Sequence, residues 1–205
     1  MGALGFGAKL PTGQTSHNFA LSGSPSQVEV DGLAGLLEAY KGALDVVTLY
    51  GPTNFEPVIR HIADIAKECR KRAYHVLLIL TDGDITDKQQ TITALVEASE
   101  LPLSVIIVGV GDEDFEDMAI LDGDDGGLVD ENGKRAKHDI VQFVAFKKCR
   151  NAELLAAEVR AAPPCPTLPS PLCPLQSALA EAPFSGAGGA PCTASGLYGH
   201  AKQDA

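Results

Sequence analysis

The stretch Val76–Asp87, VLLILTDGDITD, decides the fold, because an apolar run there ends abruptly in an acidic turn. Val76–Leu80 and a second run, Ser104–Val108, are rich in β-branched residues and leucine. Near-continuous apolar runs of this length are typical of strands that are covered on both faces, as in a parallel sheet. The two runs therefore predict two buried strands of a parallel sheet.

Helical patterns fill the chain around these strands. Lys88–Ser99 follows the acidic turn, with Asp87 as its expected N-cap and Gln90 completing a capping box. Asn54–Arg72 has the clearest amphipathic pattern, with basic residues in its last turns. The other predicted elements are a strand at Ala3–Ala8, a helix at Gly32–Ala43, an extended segment at Val46–Leu49, a strand at Ile140–Val144 and a helix at Asn151–Arg160. Strands that alternate with helices predict an α/β layered fold.

The composition excludes several classes of function. The net charge is -11 and the pI about 4.8, whereas nucleic-acid recognition and unaided binding to anionic lipid both require basic surface. The sequence shows neither a secretory signal nor an apolar run long enough to span a bilayer. Five cysteines at irregular spacings favour reduced thiols in a cytosolic protein over a disulfide framework.

The chain divides into two regions of different composition. Residues 1–160 alternate apolar runs with amphipathic stretches and form the predicted domain. Residues 162–205 hold eight prolines and only three charged side chains, with no period of 2 or 3.6. We therefore predict a disordered tail over residues 161–205.

Three loops are predicted at the carboxyl ends of the strands, where open parallel sheets bind ligands. In the first, Thr81–Asp84, Asp82 is a carboxylate that suits a hard cation such as Mg²⁺, although Asp and Gly are also ordinary turn residues. In the second, Gly51–Asn54, either Thr53 or Asn54 is expected to cap the following helix. The third, at Gly109–Asp112, resembles a dinucleotide fingerprint, but position 114 is Asp instead of the third glycine.

Residues 112–131 hold ten carboxylates and no basic residue, which predicts a solvated acidic loop. An EF-hand that starts at Asp122 fails, since Gly126 and Gly133 occupy ligand positions. The sequence also lacks the HExxH, G-x-S-x-G and Walker A motifs, so we predict no enzymatic activity.

Several long blocks resemble the A domain of copines, which are calcium-dependent phospholipid-binding proteins of the cytosol and membrane surface. The blocks are GFGAKLP (5–11), SHNFAL (16–21), LEAY (37–40), LYGPTNFEPVI (49–59), LLILTDGDITD (77–87), LPLSVIIVGVG (101–111), LDGDDG (121–126) and DIVQFVAF (139–146). The resemblance implies a doubly wound, mainly parallel sheet with helices on both faces, of von Willebrand factor A or Rossmann-like type.

That domain type carries a metal-ion-dependent adhesion site, and the resemblance implies two of its ligands here. Thr53 matches the threonine of the second loop and Asp82 the aspartate after a later strand. The D-x-[ST]-x-S loop is absent, as are the family's first strand and first helix, because Met1 falls where its second strand begins. We therefore expect a sheet without its central strand and a weak, incomplete site for Mg²⁺ or Mn²⁺. An incomplete gene model is the favoured explanation, with an unstable chain or pairing with another chain as alternatives.

The function that the resemblance implies is a non-enzymatic protein-interaction domain. Its partners are expected to be proteins, with no nucleic acid. Ca²⁺ and the membrane would be engaged only indirectly, through family C2 domains that this sequence does not include. The expected location is the cytoplasm, with the plasma-membrane periphery and the nucleus as alternatives. A second hypothesis is the substrate-recruiting, copine-like part of a RING-type ubiquitin-ligase pathway protein, although a RING needs about eight zinc ligands in paired spacing.

Overall fold

A computed structural model describes residues 1–69, 73–83, 85–124, 126–149, 155 and 195–199. The strands are β1 (Gly2–Gly5), β2 (Ala8–Lys9), β3 (Thr15–Ser16), β4 (Phe19–Ala20), β5 (Thr48–Leu49), β6 (His75–Thr81), β7 (Leu103–Gly109), β8 (Val141–Ala145) and β9 (Ser195–Gly199). The helices are α1 (Gly32–Leu44), α2 (Glu56–Glu68), α3 (Lys88–Ala98) and α4 (Glu116–Asp122), followed by a 3-10 turn at Phe146–Lys148. The α/β class predicted from the sequence is confirmed.

A six-stranded sheet forms the centre of the fold, in the order β4-β1-β9-β6-β7-β8. Its strands run parallel except β4, which pairs antiparallel with β1. A second sheet, β3-β2-β5, is small and antiparallel. The predicted parallel pairing of the two apolar runs is confirmed, since β6 and β7 pair along their full lengths.

The strand between β1 and β6 corrects two predictions. We expected an empty central position, and we expected residues 161–205 to be disordered. The structure instead places β9, Ser195–Gly199, in that position, hydrogen-bonded to β1 on one side and β6 on the other. The physical reason is that strands with unpaired N–H and C=O groups are a template for pairing with an extended segment. The rest of the tail, and the domain boundary at residue 160, lie outside the described residues.

The two apolar strands differ in how completely they are covered. Every residue of β7 is buried, as predicted for a strand that is covered on both faces. In β6 only alternate residues are buried, including Leu77 and Ile79, whereas Val76, Leu78 and Leu80 are half-buried. The prediction of full burial is therefore wrong for one face of β6.

The principal core lies between this sheet and three helices. The buried stripe of α2 includes Val58, Ile59 and Ile62, as its amphipathic pattern predicted. Burying an aliphatic side chain of this size stabilises the fold by about 1.5–3 kcal/mol. Residues of α3 and α4 join the same core, and α2 and α3 pack against each other.

A smaller cluster surrounds α1. It contains Ala3 of β1 together with Leu21, Leu36 and Ala43. The predicted apolar stripe of α1 is wider than its buried face, because Leu33 and Leu37 are 61% and 50% exposed. Among the described helices, none has the length and apolar character that crossing a membrane requires.

The acidic stretch 112–131 is not one solvated loop, which corrects that prediction. It contains α4, and Phe115, Met118 and Leu121 are buried there. Three apolar side chains at helical spacing anchor the segment, while carboxylates such as Asp112, Glu113 and Asp114 are exposed. The predicted helix Asn151–Arg160 lies outside the described residues apart from Leu155, which is helical.

Candidate functional site

The carboxyl ends of the parallel strands lie level with one another. Thr81 of β6 pairs with Gly109 of β7, which pairs with Ala145 of β8. On the other side of β6, Gly199 ends opposite Leu80. The loops that follow these strands therefore share one edge of the sheet, here called the carboxyl edge, where ligands of open parallel sheets bind.

The Gly51–Asn54 loop is held at this edge from two directions. The N–H of Tyr50 donates to the carbonyl of Gly7, just beyond β1, at 2.9 Å. Farther along, the N–H of Thr53 donates to Oγ1 of Thr86 at 3.1 Å, and the N–H of Thr86 donates to the carbonyl of Thr53 at 2.8 Å. The loop that carries Thr53 is therefore fastened to the loop that follows β6 and carries Asp82.

Asp87 makes the largest number of side-chain hydrogen bonds between these loops, a role that differs from the predicted one. It stands at the N-cap position of α3, as predicted, but its side chain makes no cap bond to that helix. Its carboxylate accepts from the N–H groups of Phe55 at 3.0 Å and Glu56 at 2.8 Å instead. Thr91 Oγ1 donates to the same carboxylate at 3.2 Å.

This arrangement corrects the predicted caps of both helices. Helix α2 begins at Glu56 and has no side-chain cap from its own N-cap residue, Phe55, so Thr53 and Asn54 do not cap it. The open N–H groups at a helix start attract a carboxylate, and Asp87 supplies it from 31 residues along the chain. Because the pairing is nonlocal, no spacing rule in the sequence indicates it.

Asp82 follows β6 directly and is half-buried, between the buried residues Thr81 and Gly83. The hydroxyl of Thr81 donates to the carbonyl of Gly83 at 3.5 Å, within the turn. Asp84 lies outside the described residues. The turn therefore holds the Asp82 carboxylate at the carboxyl edge, on the loop that is bonded to Thr53.

The described residues do not form a complete metal site. In the described part of the chain, no group of three or more His, Cys, Asp or Glu side chains is arranged to hold an ion. Asp87 is already used by three donors. Thr53 and Asp82 stay the predicted oxygen ligands for a hard cation, and two ligands would leave most of an octahedral shell to other groups.

Asn54 adds a feature that the sequence analysis missed. Its Oδ1 atom is buried, and no hydrogen-bond partner for it exists among the described residues. An unsatisfied buried acceptor costs about 1–3 kcal/mol, so native structures rarely keep one without a reason. An ordered water is the usual partner of a buried acceptor of this kind.

A sequence model of the copine family matches residues 1–165. The chain belongs to the copine family. The match includes the strands β1 to β8 and the helices α1 to α4, and it ends before β9. The resemblance noted in the sequence is thereby confirmed.

An open cleft of about 470 Å³ lies at the carboxyl ends of β7 and β8 in this copine domain. Phe115 and Phe143 contribute its apolar wall, and their rings lie 5.5 Å apart. Its charged lining is mixed, with the carboxylates Asp112, Glu113, Asp114 and Glu116 and the lysines Lys147 and Lys148. The carboxyl edge of the copine domain is therefore mainly acidic, with a small basic border.

A second group of carboxylates supports the fold of the copine domain. Asp122 accepts from the N–H of Phe143 at 2.9 Å, and Asp139 from the N–H of Val141 at 3.2 Å. Burial raises the pKa of Asp122 to about 6, the Phe143 N–H opposes this rise, and the charges of Asp124 and Asp139 add to it. Asp122 is thus a structural acceptor whose charge is unfavourable at neutral pH.

We expect Asp122→Asn to stabilise the protein at neutral pH. The pKa of Asp122 is higher in the folded protein than its value near 3.9 in an unfolded chain, so its contribution is complete below about pH 4 and is lost as the pH rises through 6. Asparagine keeps the acceptor without the charge. After allowance for solvent screening, urea unfolding should show a gain of about 1–2 kcal/mol at pH 7.5 and little change at pH 4.

Asp64→Asn is the matched control, because a hydrogen bond from Lys67 lowers the pKa of that exposed carboxyl. Removing its charge should give no gain in stability at pH 7.5. Equal gains for Asp122→Asn at pH 4 and pH 7.5 would show that charge is not the cause.

Proposed function

We propose that this copine domain is a non-enzymatic protein-interaction module that binds its partners at the carboxyl edge of the sheet. The observation that carries the proposal is the fastening of the Thr53 loop to the Asp82 loop by Asp87 and Thr86. Rigid loops bind with less loss of conformational entropy than mobile ones, so this bracing favours recognition.

A divalent cation assists this binding in our proposal. Thr53 and Asp82 would contribute oxygen ligands to Mg²⁺ or Mn²⁺, and waters or oxygen atoms of the partner would fill the remaining positions. With two protein ligands the ion binds weakly, with a dissociation constant on the order of 1 mM. Support comes from the placement of both residues on bonded loops at one edge.

The fold type, membrane contact and location that we propose are those expected of the copine family. We propose that the layers are those of a doubly wound domain of von Willebrand factor A type, with helices on both faces of the sheet. Contact with phospholipid is indirect in this proposal, through calcium-binding C2 domains outside these 205 residues. The acidic net charge of -11 supports this division of labour, since it repels anionic lipid. The cytoplasm is the proposed location.

We expect Asp82→Asn to weaken Mn²⁺ binding at least about tenfold, because the charged ligand is lost while the shape is kept. Titration calorimetry or Mn²⁺ relaxation at millimolar metal measures the change. Thr53→Val should weaken binding less, since it removes only a neutral hydroxyl. Asp64→Asn, which changes an exposed aspartate on α2, should leave Mn²⁺ affinity unchanged.

The partner hypothesis needs its own measurement. Pull-downs from cytosol with the wild-type chain and the Asp82→Asn variant, each in Mn²⁺ and in chelator, should recover proteins that the variant retains poorly. Identical recovery by the two proteins in Mn²⁺ would show that partner binding does not depend on the Asp82 carboxylate. Absence of any specific partner in all four conditions would remove the interaction proposal itself.

A ubiquitin-ligase role is the alternative, with this domain recruiting substrate. Cys165, Cys173 and Cys192, which suggested it, lie outside the described residues. A self-ubiquitination assay on the purified chain with a conjugating enzyme and Zn²⁺ tests whether the chain has ligase activity of its own. We expect no product, because three cysteines cannot complete the two zinc sites of a RING.

A further inference from the structure

The strand β9 pairs with β1 and β6, and both of these neighbours are more than 100 residues away from it in the sequence. In β9, Leu197, Tyr198 and Gly199 are each paired on both sides, with Ala3–Gly5 of β1 and with Leu78–Leu80 of β6. Both pairings are parallel. The segment therefore binds as an added strand, through main-chain hydrogen bonds.

The two flanking strands make the position between them a well-defined slot. β1 is fixed on its far side by β4, and β6 by β7. One strand fits between two strands that are about 10 Å apart, twice the usual spacing. Apolar residues next to the slot, among them Ala3, Leu4, Leu77 and Ile79, are buried. An empty slot would expose them, together with two rows of unpaired backbone groups.

The strands that form the slot and the strand that fills it come from different parts of the sequence. β1 and β6 both lie inside the part of the chain that the copine family model matches, whereas β9 lies beyond residue 165. Residues 190–199 carry no charged side chain, which suits entry between buried apolar strands. Leu197 and Tyr198 are residue types that strands accept readily.

We propose that the space between β1 and β6 is a binding slot for one extended, uncharged, parallel polypeptide strand, and that Ser195–Gly199 is its resident ligand within the same chain. The covalent connection gives this ligand a high effective concentration, so it holds the slot although five residues alone bind weakly. A free peptide of the same chemistry competes only when the resident strand is weakened. This is strand addition at the centre of a sheet instead of its edge.

The first test is Leu197→Pro in the full chain. Proline removes a backbone N–H and is not tolerated in a strand that is paired on both sides. We expect the melting temperature to fall by about 5–10 °C. Ala180→Pro, a proline placed in the tail outside β9, should leave it within about 1 °C of wild type. Equal melting temperatures for the two variants would overturn the proposal.

The second test adds the ligand in trans. A synthetic peptide of residues 193–201, TASGLYGHA, at millimolar concentration should restore the melting temperature of the Leu197→Pro protein in a saturable manner. The same peptide with proline in place of its leucine should have no effect. Failure of the first peptide to restore stability to a folded variant would contradict the existence of a binding slot.

Hydrogen exchange of the wild-type protein keeps the proposal testable if the variant does not fold. The amides of residues 197–199 should exchange at least about 100-fold more slowly than those of the free peptide. Exchange at the free-peptide rate would overturn the proposal. The mass of the protein at low concentration shows whether it is a monomer or a dimer. If the amides of residues 197–199 are protected only in a dimer, the strand in the slot belongs to a second copy, and the intramolecular assignment is wrong.

Discussion

Asp87→Ala is expected to lower the free energy of unfolding by about 3 kcal/mol. The substitution leaves the N–H groups of Phe55 and Glu56 without their acceptor at the start of α2, and removes the acceptor of Thr91 Oγ1. Asp87 and Phe55 are only 8% and 1% exposed, so water replaces the lost carboxylate poorly. Each buried donor left unsatisfied costs about 1–3 kcal/mol, and loss of an ordinary cap costs about 1 kcal/mol.

Urea unfolding followed by circular dichroism measures this change. Asp112→Ala is the matched control, because its side chain is fully exposed and should change stability by less than about 0.5 kcal/mol. Hydrogen exchange shows where the structure is weakened. The amides in the first turn of α2 should exchange faster in the Asp87→Ala protein than in the wild type. A loss confined to α3 would mean that Asp87 acts as an ordinary N-cap of that helix.

The same variant links stability to function. Asp87 joins the loop before α2 to the loop after β6, so its loss should also loosen Thr53 relative to Asp82. Mn²⁺ affinity should therefore fall in Asp87→Ala even at a temperature where the protein is fully folded. Unchanged affinity in the folded variant would show that the Thr86 bonds alone hold the two loops.

Gly109→Ala is expected to cost about 2 kcal/mol. A Cβ atom at this position, the last residue of β7, would lie 2.7 Å from Cε1 and 2.8 Å from Cζ of Phe115. That ring is buried and packs against Phe143, so it cannot move away freely. Overpacking of a well-filled core typically costs 1–3 kcal/mol.

A double-mutant cycle tests the assigned cause. Phe115→Leu makes room for the new methyl group, so Gly109→Ala should cost markedly less in that background, with a coupling of about 1 kcal/mol. Gly42→Ala is the opposite control: nothing lies within 4 Å of its Cβ, and it is in α1. Alanine there should stabilise the protein by up to about 1 kcal/mol. Additive effects of Gly109→Ala and Phe115→Leu would exclude the ring as the obstacle.

The strongly patterned elements were predicted well from the sequence. The sequence predicted the bounds of β6, β7 and α3 to within about two residues, and likewise the start of α2, whereas α2 ends at Glu68 instead of Arg72. The apolar periodicity of these elements is set by the core that they share. Several elements were missed, among them α4 and β9. The few apolar residues of α4 are surrounded by carboxylates, and β9 is a glycine-containing segment whose strand structure depends on neighbours in β1 and β6.

The candidate site was predictable only in part. Thr53 and Asp82 were chosen from the resemblance, and the rule that parallel strands end at one edge placed their loops together. Their role as metal ligands stays a prediction. Asp87 and Asn54 were assigned to local caps, since sequence reasoning considers only near neighbours. Their observed roles depend on contacts across the fold and on burial, which spacing does not encode.

The central position of β9 has a consequence for the order of assembly. During synthesis the N-terminal strands emerge first, and β1 and β6 are made long before residues 195–199. The N–H and C=O groups of β1 and β6 that pair with β9 have no partner in β9 until those residues are made. Contacts between segments so distant in sequence also form slowly. We therefore expect the pairing of β1 and β6 with β9 to be a late step in folding, and strands that wait for a partner are prone to aggregation.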